Sequence, residues 1–300
     1  MSSHSTTSND PRQGHVMPSQ ALPPGQAWKT RWIILKTALA ERLAYRGDFA
    51  LGTLMRFLPI ITQIFLWWAV FQSLNPDAPQ SASISGYSFH DMVAYYLLTM
   101  LGRAFSSMPG LSSNIAKTIR DGEIKRYLVQ PIDLLSFLFW SRVAHKIAYY
   151  SVATGPFILV FFLCRNYFTE GWPSFSTLAC FCLSLLLSFS LGFYLEACLG
   201  LIGFWMLEVS SLLFVYMLMQ FFLSGHMFPL DLLPEPFESL VNYLPIKYLA
   251  YFPAAVFLGK IQGTALLYDM LMLVFWVAFF YATSRWLTAK GLQRYSGFGG

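Results

Sequence analysis

The sequence predicts an all-α polytopic membrane protein of about six transmembrane helices, with an N-terminal interfacial amphipathic helix and outer re-entrant helices between the fifth and sixth spans. Three observations predict it. Only 12% of the 300 residues are charged and 56% are hydrophobic, whereas soluble domains carry about 25% charge. Several apolar runs reach or pass the roughly 18 residues that mark a spanning helix, which a large soluble core would not need. The runs are also continuously apolar rather than alternating over about ten residues, so a transmembrane β-barrel is excluded.

Residues 1–27 are rich in Ser, Thr, Pro, Gln and Asn and contain no signal-peptide core. They are expected to form a disordered cytoplasmic tail. In 28–47, Trp28, Trp32, Leu35, Leu39 and Leu43 step by three or four between Lys29, Arg31, Lys36, Arg42 and Arg46. That pattern predicts a helix lying in the interface with its cations toward lipid phosphates; the alternative is a cytoplasmic extension of the first span. The expected spans are 49–74, 91–113, 134–164, 175–200, 205–224 and 265–287. Arg56 lies near enough to the inner end of the first to snorkel. The second, interrupted by Arg103 and Pro109, is weakly apolar and belongs inside the bundle. Gly155-Pro156 is expected to kink the third. Phe175 to Leu223 runs without Lys or Arg and is too long for one crossing, so it must turn between Gly200 and Glu208.

Two stretches break the apolar pattern. Residues 114–133, NIAKTIRDGEIKRYLVQPID, carry Lys117, Arg120, Lys125 and Arg126 against Asp121, Glu123 and Asp133. Such a segment must sit in water or at headgroups, and its basic excess places it on the cytoplasmic side. Ile124, Tyr127, Leu128 and Pro131 fall at helical spacing, which predicts a short surface helix ending near Pro131. It reads either as an intracellular contact surface or as a solvated loop with a lipid-facing stripe. Residues 225–263 hold Pro229, Pro234, Pro236, Pro245 and Pro253. They cannot form one long helix but are too apolar for a solvated loop, so short broken helices dipping into the outer leaflet are expected.

Orientation follows from Lys and Arg. The inner segments hold most of them, including Arg142, Lys146, Arg285, Lys290 and Arg294, while the outer segments hold only Arg165, Lys247 and Lys260. Both termini are therefore expected in the cytoplasm of a multi-pass cell-membrane protein. The net charge of +5 reflects this bias rather than nucleic-acid binding.

The catalytic inventory is sparse. There is no G-x-x-x-x-G-K-[ST] loop, no H-E-x-x-H and no Gly-x-Ser-x-Gly elbow, so ATP is not held through a P-loop and a membrane-embedded enzyme lacks its constellation. His4, His15, His90, His145 and His226 show no metal-site spacing. Cys164, Cys180, Cys182 and Cys198 read as small buried hydrophobes. Glu196 and Glu208 are either proton carriers of an ion-coupled secondary transporter or a helix-end pair reached by water. Asp231, Glu235 and Glu238 are either a cation site or solvated loop acids. Arg56 and Arg103 could pair with an acid or a lipid headgroup. Tyr95, Tyr96, Tyr149, Tyr150, Trp205 and Trp286 read as an aromatic belt.

Three motifs in order resemble a known family. RDGEIKRYLVQPID at Arg120–Asp133, followed by the span containing SRVAHK, is similar to the intracellular coupling segment of ABC-2 type exporter permeases. SGHMFPLDLLPEPFESLVNYLPIKYLAYFPAAVFLG at Ser224–Gly259 is similar to that family's Ser-Gly, Pro-Leu, Leu-Pro and Leu-Gly pattern, and the ending GLQRYSGFGG looks like that of the ABC-2 family transporter protein subgroup. The resemblance covers Trp28 to Gly300. It implies an export permease that pairs with a second copy or a paralogue in the lipid bilayer and docks on a separate ATP-binding subunit. ATP and Mg²⁺ would belong to that partner, with no cofactor held by this chain. The implied ATPase contacts are Ile119, Arg120, Asp121, Gly122, Glu123, Ile124, Lys125, Arg126, Tyr127 and Leu128. Gly225, Pro229, Pro234 and Pro245 would shape the outer gate.

Overall fold

The computed structural model describes residues 24–44, 46–76, 82–128, 133–168, 171, 173–206 and 208–295. Most of the expected tail, Pro131, and the side chains of Arg42, Arg46, Arg56 and Leu128 lie outside the described residues. The helices are α1 (Pro24–Ala44), α2 (Arg46–Leu74), α3 (Phe89–Ser106), α4 (Leu111–Arg120), α5 (Lys125–Leu128), α6 (Leu134–Leu163), α7 (Phe175–Leu201), α8 (Ser210–Leu223), α9 (Phe237–Asn242), α10 (Tyr251–Phe257) and α11 (Gly263–Arg294). A hairpin of β1 (Ser83–Ile84) and β2 (Tyr87–Ser88) interrupts the all-α pattern between α2 and α3. Helices Leu134–Leu163, Phe175–Phe204 and Gly263–Arg294 are long and apolar enough to cross a membrane, as expected of an all-α polytopic membrane protein. The 14-residue α8 is shorter than the span expected there.

α7 is the centre of the bundle, packing against α11, α4, α3 and α10. It is uncharged apart from Glu196 and small where other backbones approach. A Cβ at Gly192 would collide with the carbonyl oxygen of Ser106, and one at Gly200 would lie 2.7 Å from that of Ser112. Close approach through small residues is how helices associate in lipid, where burial of apolar surface gives no drive between helices. α1 and α2 pack instead along α6. α1 therefore rests against a neighbouring helix, with Trp28, Trp32 and Ile33 exposed. α6 continues without a break across Pro156.

Two hydrophobic clusters result. The larger joins α3, α6, α7, α11 and the segment after α8. The smaller collects Met108, Leu111, Ile115, Ile119, Ile124 and Leu135 against Phe189, Phe193 and Leu201 of α7. α3 is the most enclosed of the expected spans, with Tyr95 wholly buried and Tyr96 nearly so. These tyrosines, with the buried Tyr149, are core residues rather than part of an aromatic belt. Of the cysteines only Cys198 is buried, while Cys182 is exposed. A side chain facing lipid counts as exposed, so apolarity in a span does not imply burial within the chain.

Gly192→Ala should lower the apparent melting temperature of the detergent-purified protein, by the equivalent of ~1–3 kcal/mol for overpacking. Gly155→Ala, where a Cβ meets nothing within 4 Å, should leave it unchanged or raised. Equal melting of wild type and Gly192→Ala would refute the close contact.

Candidate functional site

The expected second span, 91–113, is two helices. α3 stops at Ser106, and α4 starts again at Leu111 after a Pro109-Gly110 turn. The two ends facing this break carry orphan carbonyls and orphan amides, with the partial charges of helix termini. Neighbouring helices satisfy both. From α6, Lys146 Nζ donates to the carbonyls of Ala104 at 2.5 Å and Ser107 at 2.7 Å, and Arg142 donates to that of Pro109 at 3.0 Å. From α7, Glu196 accepts hydrogen bonds from the backbone of Ser112 and Met108, with the Ser112 hydroxyl at 3.5 Å. α4 has no side-chain cap of its own, so the acid from α7 serves as one. Cations meet the negative end of one helix and a carboxyl group meets the positive end of the next.

Of the short helix expected to end near Pro131, α5 (Lys125–Leu128) is present, and 129–132 lie outside the described residues. The amphipathic helix of this region is α4, whose Leu111, Ile115 and Ile119 are buried on α7 and whose Lys117 and Arg120 are exposed. A turn over 121–124 follows, with Gly122 at φ 74°, a left-handed conformation that other residues adopt only at a cost. It folds the chain back so that Ile124 N donates to the Thr118 carbonyl at 3.2 Å. Ile124, expected to be an apolar anchor on the contact surface, is completely buried in the chain's own smaller cluster, and Ile119 is 4% exposed. Tyr127 is half-buried beside Phe137. The outward surface is polar: Lys117, Arg120, Asp121, Glu123, Lys125 and Arg126. Arg126 and Glu123 pair at 2.6 Å, and Arg120 reaches Glu208, before α8, at 3.5 Å. The nearby Asp133 caps α6 through Ser136 N at 2.9 Å and pairs with Arg285 of α11 at 2.5 Å.

Glu196 and Glu208 do not form a pair. Glu196 is buried in the α3–α4 junction, whereas Glu208 is exposed and its carboxyl is held below the usual range by hydrogen bonds from the Ser210 hydroxyl and amide.

The segment after α8 is broken as expected, into 3-10 helices Leu230–Leu232 and Pro245–Leu249 with α9 and α10 between and after them. It is not solvated. Ile246, Tyr248, Leu249, Tyr251 and Phe252 are buried. A Cβ on Gly102 would lie 3.5 Å from the Ala250 carbonyl, so this turn descends about 20 Å along α3 at 1.5 Å per residue. Phenols fasten it. Asp231 accepts from Tyr87 and Tyr251, each at 2.6 Å. Burial and the Asp231 charge push the Tyr87 phenol well above its ordinary range. Tyr95 and Tyr96 donate to the carbonyls of Gly225 and Met227. Gly225 is at φ 79°, with room for its Cα alone beside Tyr251. Pro229 and Pro245 are buried and each opens a 3-10 helix, while Pro234 is exposed; the four expected gate residues serve separate turns. Lys247, expected outside, forms a buried ion pair with Asp269 of α11 at 2.8 Å. Lys260 pairs with Asp91 at 3.2 Å. Asp231 is thus a hydrogen-bonded anchor rather than a solvated acid, and no group of His, Cys, Asp and Glu able to hold a metal ion occurs among the described residues.

Sequence reasoning missed Asp269 and the roles of Lys146 and Tyr95. A lone acid in an otherwise apolar span was the available signal for Asp269. The carbonyl partners of Lys146 have no sequence signature.

A helical bundle with three helices among the described residues long and apolar enough to cross a membrane is that of an integral membrane protein. The family model described as ABC-2 family transporter protein matches residues 57–299, and the chain belongs to that family. It is a membrane-embedded permease of an ABC-type system. Comparison with curated protein sequences gives no match.

Ile124→Asp should abolish recovery of monodisperse protein, because it buries a charge with no partner. Glu196→Gln keeps an acceptor oxygen for the α4 amides and should fold, whereas Glu196→Leu should be destabilised by about 1–3 kcal/mol. Size-exclusion profiles and melting temperatures of the three variants check this; a well-folded Ile124→Asp would contradict the inward placement.

Proposed function

We propose that this chain is the permease subunit of an ATP-driven exporter, forming the translocation path and coupling to a separate ATP-binding subunit through Lys117–Tyr127. One observation carries the reading: the segment has a charged outer surface and an apolar inner surface fixed to α7. A partner pressing on its polar side moves α4 and α7 together, since packed elements shift as rigid bodies. The Arg120–Glu208 pair extends the same contact to the start of α8. The contacts offered are polar, from Arg120, Asp121, Glu123, Lys125 and Arg126, with Gly122 setting the turn and Ile119 and Ile124 fixing the segment from within. The chain pairs with a second copy or a paralogue, and both termini face the cytoplasm of the cell membrane. Substrate leaves past the segment after α8. ATP and Mg²⁺ belong to the partner.

The role of Glu196 as a helix cap bears on the ion-coupled alternative, because it gives that acid a structural task. Transport that persists in the Glu196→Gln, Glu208→Gln double variant is the expected result; abolition with intact folding would favour ion coupling.

Charge reversal at Lys125→Glu and Arg126→Glu should cost little stability, since exposed pairs are worth about 0–1 kcal/mol. It should reduce co-purification of the ATP-binding subunit by at least about tenfold, as loss of one to two charge-assisted contacts implies. Undiminished association would remove the segment from the interface. A cysteine placed at Lys125 should resist impermeant thiol reagents in intact cells and react after permeabilisation.

A further inference from the structure

A cavity of about 170 Å³ lies between the lower part of α3, the end of α8 and the Leu249-Ala250 turn. Arg103 brings a positive charge to it, and Met217, Leu218 and Phe221 supply apolar wall. Among the described residues no Asp or Glu lines it. Two polar atoms on its lining, Ser106 Oγ and His226 Nδ1, are buried without a hydrogen-bond partner among the described residues. Buried polar groups are ordinarily satisfied, so these two atoms are open to a partner in the cavity, a water or a bound ligand. Arg103 is exposed where it lines the cavity, and a charge on a helix of a membrane bundle is a candidate functional residue.

Size narrows the guest. Pockets for drug-sized ligands run to about 300–1,000 Å³, so this one holds a headgroup rather than a whole molecule. The rest of such a guest has an adjoining surface. α8 contains no buried residue, and Phe214, Met217, Leu218 and Phe221 are exposed on it.

We propose that this cavity is a recognition site for an amphiphile with an anionic, hydrogen-bond-accepting head, such as a phosphate or carboxylate, placed against Arg103, Ser106 and His226 with its apolar tail along α8. The proposal rests on the permease reading and names its substrate class. Arg103 supplies the charge that selects anions, the Ser106 hydroxyl donates to the head, and the α8 face selects against anions without a tail.

The test measures binding of radiolabelled dodecyl phosphate to the purified full-length chain in a neutral maltoside detergent. Saturable binding is expected, with no competition from dodecyltrimethylammonium, which has the tail and the opposite charge, or from inorganic phosphate, which has the head alone. Arg103→Gln should weaken binding on the order of tenfold to a hundredfold, the loss of one charge-assisted hydrogen bond and its ion pair. Ser106→Ala should weaken it several-fold without altering melting temperature. Wild-type affinity in Arg103→Gln, or equal competition by the cationic amphiphile, overturns the proposal. Competition by inorganic phosphate overturns the amphiphile assignment in favour of a free-anion site. Should Arg103→Gln fail to fold, unchanged binding in both Ser106→Ala and His226→Ala overturns it. No ATPase takes part in the assay, so its failure is separate from failure of the permease reading, which the Lys125→Glu, Arg126→Glu association measurement decides.

Discussion

The gap between α3 and α4 is the constraint from which the rest of the molecule takes its arrangement. Between α3 and α4 the helical ladder is interrupted at Met108 to Gly110, and backbone groups left unsatisfied in an apolar bundle cost several kcal/mol. Lys146 and Arg142 reach across from α6 and Glu196 from α7, so the gap is closed by three side chains from two neighbouring helices. This sets which face of α6 turns inward and which turn of α7 lies beside Ser112. Breaking a helix in a membrane is tolerated where neighbours supply the missing partners.

Because the gap is fixed, α4 leaves α3 in a defined direction and lays its apolar side on the small-residue stretch of α7. The turn at Gly122 then folds back and inserts Ile124 beneath it. What faces outward is a charged rim on a rigid base. At the other end Tyr95 and Tyr96 of the same helix α3 hold the carbonyls after α8, and Tyr87 of β2, just before α3, shares Asp231 with Tyr251. α3 therefore links the polar segment to the broken apolar segment, and α7 supports both.

Much of the helical layout was legible because length and apolarity alone decide it, as for 134–163 and 263–294. The prolines of 225–263 were enough to anticipate broken helices. The direction of side chains was harder. Ile124 and Tyr127 looked like one outward face because periodicity shows which residues share a face but not which way that face points; the turn at Gly122, before both, folds the chain back and buries Ile124. Tyr95 and Tyr96 looked like interface anchors because tyrosine commonly sits there, and only their distant partners Gly225 and Met227 show otherwise. Lys247 resembled an outer cation until Asp269, some twenty residues later in a different helix, came beside it. Long-range pairing is the information that spacing does not carry.

α8 is fastened at its extremities, by the Arg120–Glu208 pair before it and by the Tyr251 amide on the Ser224 carbonyl at 2.8 Å after it. Between these points none of its residues is enclosed. In hydrocarbon, exchanging acyl chains for another apolar surface changes little free energy. This helix can thus swap neighbours at small cost while its ends stay moored, so the lubricating lipid around it, rather than the protein core, governs how freely that edge of the molecule slides.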